Sequence, residues 1–322
     1  MPHQIVNPGD VKPDFDSVKA RWKTMLAPFY KDDLTLKEEF TVKVPCPHCD
    51  SRERHGNFNI NGFNHYTCSK CNSVYVSPRL KDEYLHELYS EDYYSEMFQH
   101  SMIPFFDKRK DLIGRKKYAQ ILSCCSRHDK SGSVLDIGSG LGEVLDVFKD
   151  NQWDCHGVEI NPVAADWLLQ RGIQVCREPF DLYTTGKLFD VVMAWNVIEH
   201  VTNAKAFLRK AYSLLKPGGI FVSEVPHANS MLVDYSRQTG MDPKRIIQGE
   251  QHIILYSVQA YKNLHEGAGF HPIQIQTNGL DISTILEITQ EHVKRDVIYN
   301  IQKLVDDRMY GDLLRGFWRK DK

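Results

Sequence analysis

Leu135-Asp136-Ile137-Gly138-Ser139-Gly140-Leu141-Gly142 is the stretch whose reading decides the fold. It joins a short apolar run, Val134 to Ile137, to a helical pattern from Leu141 to Phe148. Glycines at 138, 140 and 142 let a backbone turn sharply and approach a ligand without side-chain clash. The same alternation continues on the C-terminal side. His156–Ile160 reads as a strand, Pro162–Arg171 as a helix closed by Gly172, and Val175 and Cys176 as a third strand. Phe189–Trp195 is a nearly continuous apolar run, the pattern of a strand buried on both faces. Ala204–Leu215 reads as a helix stopped by Pro217-Gly218-Gly219, and Ile220–Val225 as a fifth strand. Such alternation predicts an α/β fold, a doubly wound parallel sheet with helices on both faces. Ile282 to Trp318 reads as mostly helical.

Two carboxylates refine the glycine turn. Glu159 closes the second strand, where it can accept hydrogen bonds from both hydroxyls of a ribose. Asp136 precedes the first glycine by two residues, where it would repel a pyrophosphate but suits a ligand with a cationic end. Leu135–Gly142, Val158-Glu159, Phe189-Asp190-Val191-Val192 and Leu214-Leu215-Lys216-Pro217-Gly218-Gly219, in this order, resemble the class I S-adenosylmethionine-dependent methyltransferases over residues 131–278. The resemblance implies a seven-stranded Rossmann-like sheet and S-adenosylmethionine as cofactor. It implies that Asp136, Gly138, Ser139, Gly140 and Gly142 line the amino-acid end of that cofactor. Glu159 would hold its ribose, Ile160 and Phe180 its adenine, and Trp195 and Asn196 would sit near the sulfonium.

Ahead of this domain the text changes. Cys46-Pro-His-Cys49, eighteen residues, then Cys68-Ser-Lys-Cys71 matches the spacing of a four-cysteine zinc site. Four thiolates leave no open position for water, so the expected zinc is structural, with His48 and His65 as bystanders. Phe58, Ile60, Phe63 and Tyr66 between the pairs suit a ribbon hairpin. Cys124, Cys125, Cys155 and Cys176 read as small core residues. The expected order is a helical segment over 1–42, the ribbon over 43–80, and a helical linker over 81–130 that contains Glu91-Asp-Tyr-Tyr94. The methyltransferase domain follows over 131–278 and a helical segment over 279–322. A ribbon, a helical link and a methyltransferase core in succession resemble bacterial methyltransferases of sugar and small-molecule biosynthesis.

The 322 residues are 42% hydrophobic and 25% charged, with a net charge of −2. That balance disfavours nucleic acid as the main partner, although Arg52, Arg54, Lys70 and Arg79 flank the ribbon. No apolar run is long enough to span a membrane. The start, MPHQIVNPGDVKPDFD, lacks the pattern of a secretory leader, so a reducing, cytoplasmic setting is expected. Oligomeric state is not legible.

Methyl transfer to oxygen or to a carbanion needs a base on the acceptor side. The candidates are His252 in Gly249-Glu-Gln-His252, His227 in Val-Pro-His-Ala, and His200 in Asn196-Val-Ile-Glu-His200, in that order. The helical segment over 279–322 is expected to pack back on the sheet, and the ribbon to have a core of its own. Glu199-His200 also resembles the magnesium-binding residues of small-RNA and ubiquinone-pathway O-methyltransferases, with Asn196 where the RNA enzymes have a second glutamate. The expected activity is methyl transfer from S-adenosylmethionine to a small molecule or nucleotide-sugar. The alternative is an RNA methyltransferase that grips its substrate with the ribbon.

Overall fold

The structure is a computed structural model that describes residues 16–90, 92–125, 131–243, 245–289 and 292–322. Residues 1–15 of the N-terminal segment, Glu91 of the tyrosine-rich link and 126–130 at the end of the linker lie outside the described residues. Within the N-terminal segment expected to be helical, a helix spans Asp16–Leu26.

Five short strands build the ribbon: β1 (Thr41–Val42), β2 (Arg54–Ile60), β3 (Phe63–Cys68), β4 (Val74–Val76) and β5 (Arg79–Leu80). Asn61-Gly62 joins β2 to β3 with φ of +52° and +83°, the left-handed pair that matches the twist of a two-residue hairpin. The two cysteine knuckles are near copies. In each, the residue after the second cysteine takes a left-handed φ, Asp50 at +59° and Asn72 at +57°. Each donates its N–H back to the first cysteine's carbonyl, at 2.9 Å in both.

The main sheet contains β6 (Ser133–Ile137), β7 (Asp154–Val158), β8 (Gln174–Cys176), β9 (Phe189–Trp195) and β10 (Leu215–Pro226). After β11 (Ile254–Leu255), β12 (His271–Asn278) and β13 (Leu313–Arg319) complete it. The order is β12-β13-β10-β9-β6-β7-β8, with only β13 antiparallel to its neighbours. Strand order reverses between β6 and β9, so a crevice opens at their carboxyl ends, where open α/β sheets bind ligands.

The chain end departs from the sequence reading. Helices occupy Asp281–Thr289 and Arg295–Asp307, but Leu313–Arg319 is a strand inserted between β10 and β12. Its disguise is Arg315, a charge in the middle of a buried strand, which is tolerated because Glu224 on β10 receives it. Gly316 is required there, since a Cβ would come within 2.4 Å of the Trp318 indole.

The ribbon is not separately cored either. One apolar cluster contains Cys46, Phe63, Tyr75 and Val76 of the ribbon together with Leu135, Val192 and Phe221 of the sheet. The reason is β11, which leaves the methyltransferase part of the chain and pairs with β4, giving a four-stranded sheet ordered β11-β4-β3-β2. The helical stretch over 92–124 lies across the other side of the crevice. Phe98 and Phe106 pack there on Leu141 and Ala164, and Ser95 Oγ accepts from Asn161 Nδ2 at 3.1 Å.

Candidate active site

The glycine turn leaves β6 exactly one residue past Ile137 and is left-handed at all three glycines, with φ of +68°, +54° and +73°. A Cβ on Gly138 would meet Val197 at 2.7 Å. Asp136, on β6 just before the turn, is buried, and its Oδ1 has no partner among the described residues. Burial pushes its carboxyl well above the usual range, against the pull of Lys117. A buried acid with an orphaned oxygen beside a bare backbone turn fits the cationic amino end of S-adenosylmethionine. Ser139 instead serves the turn, donating from Oγ to the Asp136 carbonyl at 3.1 Å.

Glu159 stands just after β7 and clasps the turn. Its Oε2 accepts from Gly140 N–H at 2.7 Å and its Oε1 from Asn161 N–H at 2.8 Å. Burial raises its pKa while those donors lower it. Ile160 beside it is exposed, as a residue that meets a ligand would be. Phe180 is taken up elsewhere, packed on Phe207 at 4.9 Å between ring centroids and stacked near Tyr183.

Trp195 and Asn196 end β9 as expected, and Asn196 adopts a left-handed φ of +54° with its N–H donating to the Glu224 carbonyl. Around Trp195 is a charge cluster that the sequence does not announce. Lys117 Nζ lies 3.8 Å from the ring centroid and Arg315 lies 5.5 Å away on β13. Both cations bond Glu224, Lys117 Nζ to Oε1 at 2.9 Å and Arg315 Nε to Oε2 at 2.8 Å. Burial would raise the Glu224 carboxyl, but the two cations overcome it and hold it at about 2. Lys117 sits in Arg-Lys-Lys-Tyr-Ala-Gln, which reads as a solvated helix face, so no local signal marks it.

The three candidate bases separate. His200 and His252 come together, with ring centroids 4.8 Å apart. His252 Nδ1 faces the Ile246 carbonyl at 2.8 Å and His200 Nδ1 faces the Gln251 carbonyl at 3.1 Å. A ring nitrogen can only donate to a carbonyl, so His252 carries its proton on Nδ1 and presents Nε2 as a base. Burial lowers its pKa to about 4 and that of His200 to about 3. Glu199 is wholly buried beside them, its Oε1 3.9 Å from His200 Nε2 and both oxygens without a hydrogen-bond partner among the described residues, and burial raises its pKa well above the usual range. Ligand atoms of Glu199, His200 and His252 all lie within 4.8 Å of one another, a set able to hold a divalent cation. His227 points away, its Nδ1 donating to the Gly311 carbonyl at 3.0 Å under the entry to β13.

The four ribbon cysteines converge as the spacing predicts. Their sulfurs lie within 4.8 Å of one another, with Cys46 to Cys71 at 3.6 Å and Cys49 to Cys68 at 3.5 Å. Tetrahedral thiolates at a Zn–S distance of about 2.3 Å would be about 3.8 Å apart, so the donor set fits zinc. His65 is core, stacked on Phe58, and His48 packs edge-on against Tyr256. The ribbon reaches the acceptor side through the backbone. Ser257 Oγ donates to the Cys71 carbonyl at 2.6 Å, Val76 N–H to the Ile253 carbonyl, and Ile253 N–H to the Glu199 carbonyl.

Residues 109–275, just over half of the chain, match the sequence profile of the methyltransferase domain family. The chain is 32% identical over 124 residues to the mitochondrial ubiquinone biosynthesis O-methyltransferase of Rattus norvegicus, covering 33% of this chain and 35% of that one. It is 43% identical over 103 residues to the ubiquinone biosynthesis O-methyltransferase of Cereibacter sphaeroides, covering 30% and 42%. The chain thus spans only about a third to a half of the curated relatives it matches. Among solved structures, a Haloferax volcanii methyltransferase in complex with the Trm112 methyltransferase activator superposes with a TM-score of 0.50 at 15% identity, covering 72% of this chain and 99% of that one. A Burkholderia thailandensis 1,6-didemethyltoxoflavin-N1-methyltransferase gives 0.47 at 16% identity, covering 80% and 99%. The glycine turn behind Asp136, the strand order that reverses beside it and the profile match across the same residues place this chain in the methyltransferase domain family, among the class I S-adenosylmethionine-dependent methyltransferases.

Proposed function

We propose that this protein transfers a methyl group from S-adenosylmethionine to an oxygen of a small-molecule acceptor, with a structural zinc in its ribbon. The observation that carries the reading is the buried Asp136, whose Oδ1 is orphaned beside the glycine turn at the end of β6; His252, packed on His200 just past the end of the neighbouring β9, supports it from the acceptor side. S-adenosylmethionine, when bound, supplies an electrophilic methyl group on a sulfonium. Asp136 would hold its ammonium, Glu159 its ribose, and Gly138 and Gly140 would admit its methionine end. His252 would take the acceptor proton on Nε2 while the Ile246 carbonyl fixes the ring. His200 positions the Gln251–His252 backbone through its bond to the Gln251 carbonyl.

Oxygen as the acceptor atom is favoured by the relatives described above, which are ubiquinone biosynthesis O-methyltransferases. A nucleotide-sugar is the finer acceptor reading, and nucleic acid is disfavoured by the net charge of −2. No helix among the described residues is long and apolar enough to cross a membrane. A cytoplasmic setting is part of the proposal, because four unpaired thiolates need a reducing compartment.

A second reading rests on the cluster of Glu199, His200 and His252, which would hold a divalent cation in place of a free base. One experiment tests both. Calorimetric titration with S-adenosylmethionine should show binding in the parent chain and none in Asp136→Ala. Undiminished affinity in that variant would remove the cofactor assignment. Transfer that persists after chelation and redialysis, in protein retaining its ribbon zinc, selects the base. Transfer restored by added magnesium or manganese selects the cation.

A further inference from the structure

The ribbon carries a second concave site, away from the crevice. A cavity of about 240 Å³ lies between the approach to the first knuckle and the ribbon sheet. Lys43, Arg52 and Arg54 line it, with Tyr75 and Ser77 at its floor. No carboxylate lines it. Among the described residues, neither Lys43 nor Arg52 has an ion pair or side-chain hydrogen bond. Two neighbouring pairs of charges are committed to each other. Arg79 pairs with Asp82 at 2.6 Å, and Asp50 faces Lys205 at 3.6 Å. Arg54 lies flat on Tyr66, its guanidinium carbon 3.6 Å from the ring centroid, which fixes its direction. Ser77 Oγ bridges the N–H and carbonyl of Val44, so the wall bearing Lys43 is tied to the floor.

Three cations converging on a concave surface without a counter-charge raise the local potential for anions. Two guanidinium forks and an ammonium are the donor set that matches the oxygens of phosphate groups. We propose that the ribbon binds the phosphate groups of a phosphorylated small molecule in this cavity. A single nucleic-acid strand would need a basic groove running past several nucleotides, whereas the basic lining here is confined to one hollow and the chain is acidic overall. Tyr75, part of its lining, pairs with Ile254 of β11, which ties the site to the strand that follows Gln251-His252. The proposal does not depend on methyl transfer and can fail without it.

The test is calorimetric titration of the full, zinc-loaded chain with inorganic pyrophosphate and, separately, uridine diphosphate at low salt. Saturable binding of either probe is expected, weakening as salt is raised. Arg52→Gln and Lys43→Gln, both exposed positions, should each weaken it about tenfold or more, the worth of one charge-assisted bond. The same variants should bind S-adenosylmethionine as the parent chain does, which shows that they are folded. Tighter binding of uridine diphosphate than of pyrophosphate would assign a nucleoside-bearing ligand, and equal binding the phosphates alone. Either supports the site. Absence of saturable binding at millimolar concentrations, or variants that bind like the parent, would overturn it. So would a single-stranded RNA oligomer bound more tightly than both probes and lost in Arg52→Gln.

Discussion

Replacing Glu224 by Gln isolates the charge cluster around Trp195. The carboxylate is buried between Lys117 and Arg315, and its pKa falls from the ordinary 4.5 to about 2. Each pKa unit is worth about 1.4 kcal/mol, so the ionised form contributes about 3 kcal/mol to folding at neutral pH. The sign follows from the direction of the shift. Because the folded pKa is depressed, this stability is fully present above about pH 4.5 and is lost as pH falls toward 2. Glu224→Gln keeps the shape but leaves two buried cations facing a neutral amide, and breaking such a pair costs about 3–5 kcal/mol. With an unfolding entropy of about 2.1 cal/mol/K per residue, a chain of this length should lose about 4–7 °C in Tm at pH 7. The assay is thermal unfolding of parent, Glu224→Gln, Lys117→Met and the double variant. The double variant should recover part of the loss, since one uncompensated cation is gone. A Tm within about 1 °C of the parent for Glu224→Gln at pH 7, or no recovery in the double variant, would refute the account of the cluster as a compensated buried charge.

Three other expectations are open to direct measurement. His252→Ala should lower turnover by about 10²–10⁴-fold with little change in S-adenosylmethionine affinity. Since burial holds His252 at about 4, the parent rate should be flat across neutral pH and fall only as pH approaches that value, so a rising limb centred near 6.5 would exclude His252 as the base. Gly140→Val should abolish cofactor binding, because its φ of +54° is strained for a β-branched residue and the new side chain, directed at Phe98, would distort the turn; titration with near-parent affinity would contradict this. Cys71→Ser should lose zinc by elemental analysis and lose transfer, while S-adenosylmethionine affinity falls far less; full turnover in zinc-free protein would sever the ribbon from the active site.

The last of these departs from what the sequence alone suggests, and the reason shows where sequence reading stops. The glycine turn, Glu159 and β9 were legible because each is a local pattern: a turn needs its glycines in place, and a doubly buried strand needs an unbroken apolar run. The knuckles were legible for the same reason, four thiolates at fixed spacing. Arg315 hid β13, because a buried charge is excusable only by Glu224, ninety-one residues away in the chain. Lys117 hid in a helix that looks solvated, and it too is explained only by Glu224. The ribbon's attachment belongs to this second kind. Nothing in Ser257 or in Ile254-Leu255 announces that they will bond Cys71 and β4, at a separation of 186 residues for the first pair.

That attachment changes what a zinc held by the four cysteines would do. Were the ribbon a separate unit, losing the metal would leave the crevice intact. Instead β4 is the pairing partner of β11, and the strand residues are held by Ser257 on the Cys71 carbonyl and by Ser73 Oγ accepting from Ser257 N–H at 3.2 Å. From β11 the chain runs back through Ile253, whose N–H bonds the Glu199 carbonyl, to His252. One hydrogen bond and the short run of chain from Ser257 to His252 therefore separate Cys71, a zinc ligand in the proposal above, from the acceptor side. The glycine turn, by contrast, is anchored by β6, Glu159 and the helical cover over 92–124. Because structural zinc in such small units is itself folding free energy, of order 10 kcal/mol, its loss should free β4 and with it β11. Zinc removal should consequently act as an acceptor-side lesion. In hydrogen exchange, the amides of 253–257 should lose protection with those of the ribbon, while those of β6 and the glycine turn keep theirs. Equal loss at both places would mean that the shared apolar core, and not this strand pairing, couples the ribbon to catalysis.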